Sequence, residues 1–243
     1  ALGVLGGENV KVTFLGTGVS VPCEGRAQSS ILIESDAKVL VDCGIGTFLR
    51  LEQLQIPPSE IDAIIITHHH LDHNGDLLNI LKARWLMGAK QIEIYGPNGT
   101  RFFMEAMLNA YPYLRGKLKF KVREEKAFRV EDLQINAIPT IHSIESQGYV
   151  INEVAISGDT KAFKDFISID CSVMIHELSL PFNFNADFHT TPENLKECLD
   201  FMKAEKLYLT HLYPMTHAVK ERILEFLEVK ANIARDLESF ELK

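Results

Sequence analysis

Residues 67 to 76 read Thr67-His68-His69-His70-Leu71-Asp72-His73-Asn74-Gly75-Asp76, and this stretch holds four of the chain's nine histidines with an aspartate among them. The run before it, Ile61-Asp62-Ala63-Ile64-Ile65-Ile66, is β-branched and apolar. It reads as a buried strand that delivers the cluster to a loop at the strand's end. His68 and His70 are two apart and face the same side of an extended chain, while His69 faces the other. Only alternate histidines can then share one metal ion. Asp72 and His73 stand at or just before the N-terminus of a helix running from Asp76 to Met87, within reach of a second metal. A histidine tag lies at a terminus and carries no interleaved aspartate, whereas this cluster is internal and bracketed by a strand and a helix.

A metal cluster needs further ligands, and three strand ends supply candidates. His142 follows the apolar run from Leu133 to Ile141. Asp159 closes Val154-Ala155-Ile156-Ser157-Gly158-Asp159, where Gly158 lets the backbone turn sharply and present the carboxylate. His211 terminates Lys206-Leu207-Tyr208-Leu209-Thr210-His211. Each is weak alone, because a single histidine after a strand is more often structural than ligating. Together they complete a plausible coordination count. Imidazole and carboxylate ligands without thiolate suit zinc, with manganese or iron as alternatives. Two cations about 3.5 to 4 Å apart lower the pKa of a water and brace a phosphoryl or carbonyl oxygen during attack, so hydrolysis is the natural chemistry.

The rest of the chain bounds the answer. Its 243 residues suit one large domain, residues 1–243, with an ample core. The first nine residues, Ala1 to Asn9, are nondescript and read as a frayed end or an addition foreign to the natural chain. Cys23, Cys43, Cys171 and Cys198 form no CxxC pair, which argues for reduced thiols and a cytoplasmic protein. Cys43 reads as filler at a strand end. No apolar run approaches the roughly 18 to 20 residues needed to span a bilayer, and the start lacks a charged-then-apolar leader pattern, so no membrane partner is expected. The formal net charge of −8 disfavours a general polyanion binder. The one nucleic-acid hint is Arg115, Lys117, Lys119, Lys121 and Arg123, alternate cations that would give an extended strand a basic face. A solvated edge strand protected by lysines accounts for it better. Trp85 and Met87 read as core or subunit contact.

Strand-like runs occur at 10–15, 30–35, 38–42, 63–67, 91–95, 118–122, 133–139, 148–151, 154–157, 173–176 and 206–210. Helical patterns fall at 46–55, 76–87, 100–114, 191–204 and 218–232. Thr190 with Glu193 predicts a capping box for the fourth of these helices. The first half is strand-rich with early hairpins before strand and helix alternate, and the second half repeats that character. Two sheets covered by helices on the outside, an α/β four-layer αββα sandwich with mixed sheets, accommodate this order.

At this point the residues are similar to a known family. His68, His70, Asp72 and His73 match the His-x-His-x-Asp-His hallmark of the metallo-β-lactamase superfamily. Phe14-Leu15-Gly16-Thr17-Gly18, the stretch from His142 to Tyr149, and Ser157-Gly158-Asp159-Thr160 followed by His176-Glu177 resemble its ribonuclease Z-like phosphodiesterases. The likeness spans nearly the whole chain. It implies the metallo-β-lactamase-like αββα fold, with one metal on His68, His70 and His142, a second on Asp72, His73 and His211, and Asp159 bridging both. It also implies that Glu177 pairs with His189 beside the scissile phosphate, where a carboxylate can raise the pKa of an imidazole that serves as phosphate contact or general acid. His189 packing at a helix start without a catalytic role is the alternative. His69, His176 and His217 read as structural.

The expected function is a dinuclear metal-dependent hydrolase, a phosphodiesterase acting on a small phosphodiester such as a cyclic nucleotide, or on an RNA end. Asp72 would both ligate a metal and orient the nucleophile. Hydrolysis of a lactone, thioester or sulfate ester on the same scaffold is the enzymatic alternative, and a non-catalytic binding protein is disfavoured by seven filled ligand positions. The branch's members often pair, so a homodimer is a further expectation. Three departures from the ribonuclease Z pattern favour a small diester over folded transfer RNA. His142 and Asp159 are only 17 positions apart, which leaves no room for a long protruding arm. The residues after His211 are Leu212-Tyr213-Pro214-Met215 in place of the Ser-x-Arg-Tyr type, and His73-Asn74-Gly75-Asp76 differs from the usual His-x-x-Gly.

Overall fold

A computed structural model describes residues 9–242, so the reading of Ala1–Asn9 lies, but for Asn9, outside the described residues. The chain opens with β1 (Val10–Gly16), β2 (Ser30–Glu34), β3 (Lys38–Val41), α1 (Thr47–Gln53), β4 (Ala63–Ile65), α2 (Leu71–Asn74), α3 (Leu77–Leu86), β5 (Ile92–Tyr95), α4 (Thr100–Ala110) and β6 (Phe120–Arg123). It continues with β7 (Ala127–Val130), β8 (Leu133–Pro139), β9 (Gln147–Ile151), β10 (Val154–Ile156), α5 (Lys164–Ile167), β11 (Val173–Glu177), α6 (Pro192–Leu199), β12 (Lys206–Thr210), α7 (Pro214–His217), α8 (Lys220–Leu227), β13 (Ala231–Ile233) and β14 (Ser239–Leu242).

These strands form two seven-stranded mixed sheets, ordered β14-β1-β2-β3-β4-β5-β6 and β13-β12-β11-β10-β9-β8-β7. Each is parallel at one end and antiparallel at the other: β3 to β6 and β10 to β13 run parallel. Alternating side chains give each sheet two apolar faces. Phe14, Ile33, Val39 and Ile65 of the first sheet meet Ile135, Tyr149, Val154 and Ile175 of the second in a shared inner core. Leu32, Leu40, Ile64 and Ile94 face outward onto Leu51, Ile80, Leu81 and Met104 of α1, α3 and α4. Ala155, Met174, Leu207 and Leu209 face outward onto Phe166, Leu195 and Ile223 of α5, α6 and α8. The result is the expected αββα sandwich.

The expected strands all form, within a few residues of their expected ends, and the misses have local causes. The helix expected over 100–114 stops at Ala110 because Pro112 cannot continue it, and the chain resumes as a 3-10 turn over Pro112–Leu114. The one expected over 191–204 ends at Leu199, where i→i+3 bonds from the amides of Phe201 and Met202 tighten the last turn. The one expected over 218–232 ends at Leu227, because Glu228 adopts φ 57° and the chain turns back to add β13 beside β12. No capping box forms at Thr190. Thr191 caps α6 by accepting from the Asn194 amide, Thr190 turns inward to donate to the Thr160 carbonyl, and Glu193 accepts from the Asn183 amide.

The alternating cations do not make a continuous basic face. Only Lys121 and Arg123 of the five lie on β6, at the edge of its sheet. Arg115 pairs with Glu105, Arg123 with Glu93 and Glu125, and the Lys117 ammonium sits over Trp85. Met87 is exposed rather than core. All four cysteines are free, and Cys43 is buried at the end of β3 as expected. Among the described residues no helix is long and apolar enough to cross a membrane.

Candidate metal centre

Parallel strands present their C-terminal ends to a common rim, and open α/β sheets place ligand sites there. β3 delivers Asp42, β4 leads into Thr67 and His68, β10 into Asp159, β11 ends on Glu177, and β12 leads into His211. The remaining candidates arrive on short connections. Asp72 and His73 lie just ahead of α3, as the sequence suggests, but within a helical turn of their own, α2. This turn sits close to the strands because Gly44 has no side chain: a Cβ there would meet the Asp72 carbonyl at 2.1 Å. Gly158 has φ +59°, and a Cβ there would approach Thr67 Cβ to 2.8 Å. That left-handed turn aims Asp159 at the cluster.

The structure gathers the expected residues into two adjoining sets, His68, His70, His142 and Asp159 in one, and Asp72, His73 and His211 in the other. In the first, His70 Nδ1 lies 3.1 Å from both His68 Nε2 and His142 Nε2, and His68 Nε2 is 3.7 Å from Asp159 Oδ2. In the second, His73 Nε2 lies 3.2 Å from His211 Nε2 and 3.2 Å from Asp159 Oδ1, while His211 Nε2 is 3.4 Å from Asp72 Oδ2. Asp159 thus turns one oxygen toward each set. Two donors on a tetrahedral zinc at 2.0–2.1 Å stand about 3.3 Å apart. The observed spacings bracket that value. His69 points away, with Nε2 2.8 Å from Thr100 Oγ1 and its ring stacked on Phe103.

The electrostatics also fit a cation. Burial first, and then the neighbouring His73, push His68 well below its ordinary pKa, and burial does the same to His70 and His142. Three neutral imidazoles therefore converge lone pairs on one point. In the second set burial opposes charge on His73, yet Asp159 and Asp42 overcome it and hold the imidazolium above its usual range. Burial likewise disfavours ionised Asp159, but His211 and His73 outweigh it and draw the carboxyl far below the carboxylate range. Buried Asp159 Oδ1 makes no well-formed hydrogen bond beyond its ion-pair approaches to His73 and His211. A buried carboxylate oxygen left in that state is costly, and a metal ion satisfies it.

Several supporting residues escape the sequence reading. Asp42 Oδ2 accepts from His73 Nδ1 at 2.7 Å and from the Thr67 hydroxyl at 2.8 Å, and Asp42 Oδ1 accepts from the Thr67 amide at 2.8 Å. Thr67 Oγ1 in turn lies 3.0 Å from His68 Nδ1. Orienting partners of this kind fix a ligand's tautomer and ring plane. Ser179 Oγ holds His211 Nδ1 at 2.9 Å, the Phe188 carbonyl holds His142 Nδ1 at 3.0 Å, and the Ser20 amide donates to Asp72 Oδ2 at 3.1 Å. Asp42 and His211 both adopt positive φ, 57° and 60°. Non-glycine residues seldom do so, and such strain concentrates at functional sites. Asp42 is legible in part by the argument that finds Asp159, a carboxylate closing an apolar strand.

Glu177 and His189 meet beside the cluster. Buried Glu177 accepts from His189 Nδ1 at 2.8 Å, the Thr160 amide at 3.0 Å and the Ser179 amide at 2.8 Å. Burial would lower the His189 pKa, but the bond to Glu177 and its charge outweigh that and hold the imidazolium up at about 9. A donor nitrogen of His189 also lies within 4.8 Å of donors on Asp159 and His211, so the ring faces the metal positions.

The sandwich and its His-rich rim define a metallo-β-lactamase fold protein of the ribonuclease Z-like branch. Residues 10–231 match the family model of the anti-Pycsar protein Apyc1, and the chain belongs to that family. It is 29% identical over 198 residues to a ribonuclease Z of Methanococcus maripaludis, an alignment covering 71% of this chain and 64% of that protein. Among solved structures it superposes on the metallo-β-lactamase fold protein YhfI of Bacillus subtilis with TM-score 0.80 at 23% identity, covering 96% and 99% of the two chains. It also superposes on the short form of human tRNase Z with TM-score 0.76 at 25% identity, covering 95% and 98%.

Proposed function

We propose that this protein is a dinuclear metal-dependent phosphodiesterase acting on a small phosphodiester, such as a cyclic nucleotide, or on an RNA end. The observation that carries this is Asp159 turning one oxygen toward each of two donor sets, with His189 beside both. His68, His70 and His142 would hold one ion, Asp72, His73 and His211 the other, and Asp159 would bridge them. The donor set favours zinc. When bound, the pair would supply a nucleophile at neutral pH and brace the phosphate oxygens.

The chain's own residues supply the rest. Asp72 accepts from the Ser20 amide through Oδ2 and so keeps a fixed orientation for the nucleophile. Glu177 holds His189 Nδ1, which leaves Nε2 to carry a proton toward the leaving oxygen. The β9–β10 hairpin, Gln147–Ile151 and Val154–Ile156, fills most of the interval from His142 to Asp159. That supports a small diester over folded transfer RNA.

Donors from both sheets complete the cluster, which supports one domain carrying the whole site. Exposed Ile45 and Leu71 near the cluster support a homodimer, and free thiols support a cytoplasmic location. Metal-reconstituted protein assayed on phosphodiesters, phosphomonoesters, lactones and thioesters tests the reading. Turnover confined to diesters is expected, and turnover of lactones or thioesters alone would replace it.

A further inference from the structure

The stretch from His142 to Tyr149 holds two buried polar residues that take no direct part in the metal centre, Gln147 and Tyr149. We propose that they are positioning residues for that centre, locking the register between the two sheets on which both donor sets depend, an inference that rests on the two-metal reading above. Each set draws on both sheets. His68, His70, Asp72 and His73 follow β4 of the first sheet, whereas His142, Asp159 and His211 follow β8, β10 and β12 of the second. The approaches across the sheets are close, 3.1 Å from His70 Nδ1 to His142 Nε2 and 3.2 Å from His73 Nε2 to His211 Nε2. A functional constellation has to be held to about 0.5 Å, so a slip between the sheets would spoil both sets together.

Both residues reach from β9 of the second sheet to the end of the first-sheet strand that delivers His68. Tyr149 is fully buried in the inner core, and its hydroxyl donates to the Ile66 carbonyl at 2.8 Å. The Gln147 backbone amide donates to the Thr67 carbonyl at 3.0 Å. The two carbonyls immediately before His68 are thereby tied to the opposite sheet.

The direction of the tyrosine bond is fixed from outside. Lys126 Nζ, which can only donate, lies 2.7 Å from Gln147 Oε1. That leaves Gln147 Nε2 to donate to the Tyr149 oxygen, at 2.6 Å. The tyrosine proton therefore goes to Ile66. Bonds in such a chain polarise and strengthen one another, and this one runs from an exposed ammonium to the backbone beside a metal-facing imidazole. Phenylalanine would fill the inner core as well as Tyr149 does. It would deprive the Ile66 carbonyl and the Gln147 side-chain amide of this partner, and buried polar groups left unmet are costly.

Tyr149→Phe keeps the ring and removes only the bond to Ile66. In chelator competition with cobalt(II) the variant should bind both ions about tenfold or more weakly, the scale of an outer partner of a metal ligand. The two affinities should fall by similar factors, because each ion spans the two sheets, and the visible absorption of the cobalt-loaded protein should change with the donor geometry. Hydrogen exchange at the Gln147 amide of metal-free protein should quicken without a matching change at the α4 amides. Lys126→Met, at an exposed position, should move the same readouts in the same direction by less, and it decides alone if Tyr149→Phe does not fold. Unchanged cobalt affinities and spectrum would overturn the inference, as would a lower melting temperature with those readouts unaltered, which would make the hydroxyl a support of the core only. If the wild-type protein binds fewer than two cobalt ions the two-metal reading falls. Exchange at the Gln147 amide then still decides whether Tyr149 clamps the sheets, and equal rates in wild type and variant would show that it does not.

Discussion

The Asp42 carboxylate lies 2.7 Å from His73 Nδ1 and 2.8 Å from the Thr67 hydroxyl, which is itself 3.0 Å from His68 Nδ1. One side chain thus sets the ring of an imidazole in each donor set. Replacing Asp42 by Ala should weaken metal binding about 10- to 100-fold, the usual scale for an orienting partner. Chelator competition measures this, and the weakening should appear at both metals, sharper at the one held by His73. Unaltered affinity would reduce Asp42 to a turn residue.

Asp159→Ala removes the only carboxylate among the described residues that turns toward both sets, so both ions should bind weakly. His68→Ala should primarily weaken one. Metal content per chain after dialysis distinguishes them, and equal, small losses would contradict the bridging assignment.

Proton linkage gives a pH signature in metal-free protein. The folded-state pKa of His189 is raised to about 9, above an unfolded value of about 6.5. The folded chain then binds the extra proton between these values, so its stabilising contribution is full below about 6.5 and disappears as pH rises through about 9. Denaturant midpoints of chelator-treated protein should fall across that window, and His189→Ala should flatten part of the fall. Buried His73 is raised as well and accounts for the remainder. An NMR titration placing His189 near 6.5 in metal-free protein would contradict the Glu177 bond.

In the metal-loaded enzyme His189→Ala should lower turnover by roughly a hundredfold or more with metal content intact. The defect should shrink for an activated nitrophenyl diester, which needs little protonation on departure, relative to an alkyl diester. Equal loss on both would exclude leaving-group protonation. Metal loss would recast His189 as a ligand, since its ring nitrogen lies within 4.8 Å of donors on Asp159 and His211.

Much of this site is legible in the sequence because each donor closes a strand or follows one closely. His68 and His70 share a side by two-residue alternation, and Asp159 is betrayed by the glycine before it. Asp42 also closes an apolar strand, but no glycine precedes it and it stands outside the dense His cluster, so strand-end position alone does not single it out. Ser179 and Thr67 are less legible still. Their roles come from partners far along the chain, as when Ser179 holds His211, 32 positions away. In the fold, β7, β13 and β14 escape because they are short and only partly buried, with no strong period. The helix expected over 218–232 overran into β13, since its amphipathic pattern continues past the left-handed turn at Glu228.

The central claim is a two-metal centre bridged by Asp159, and metal stoichiometry tests it most directly. Elemental analysis of fully active, reconstituted protein should give two divalent ions per chain. A persistent count of one with full activity would contradict it.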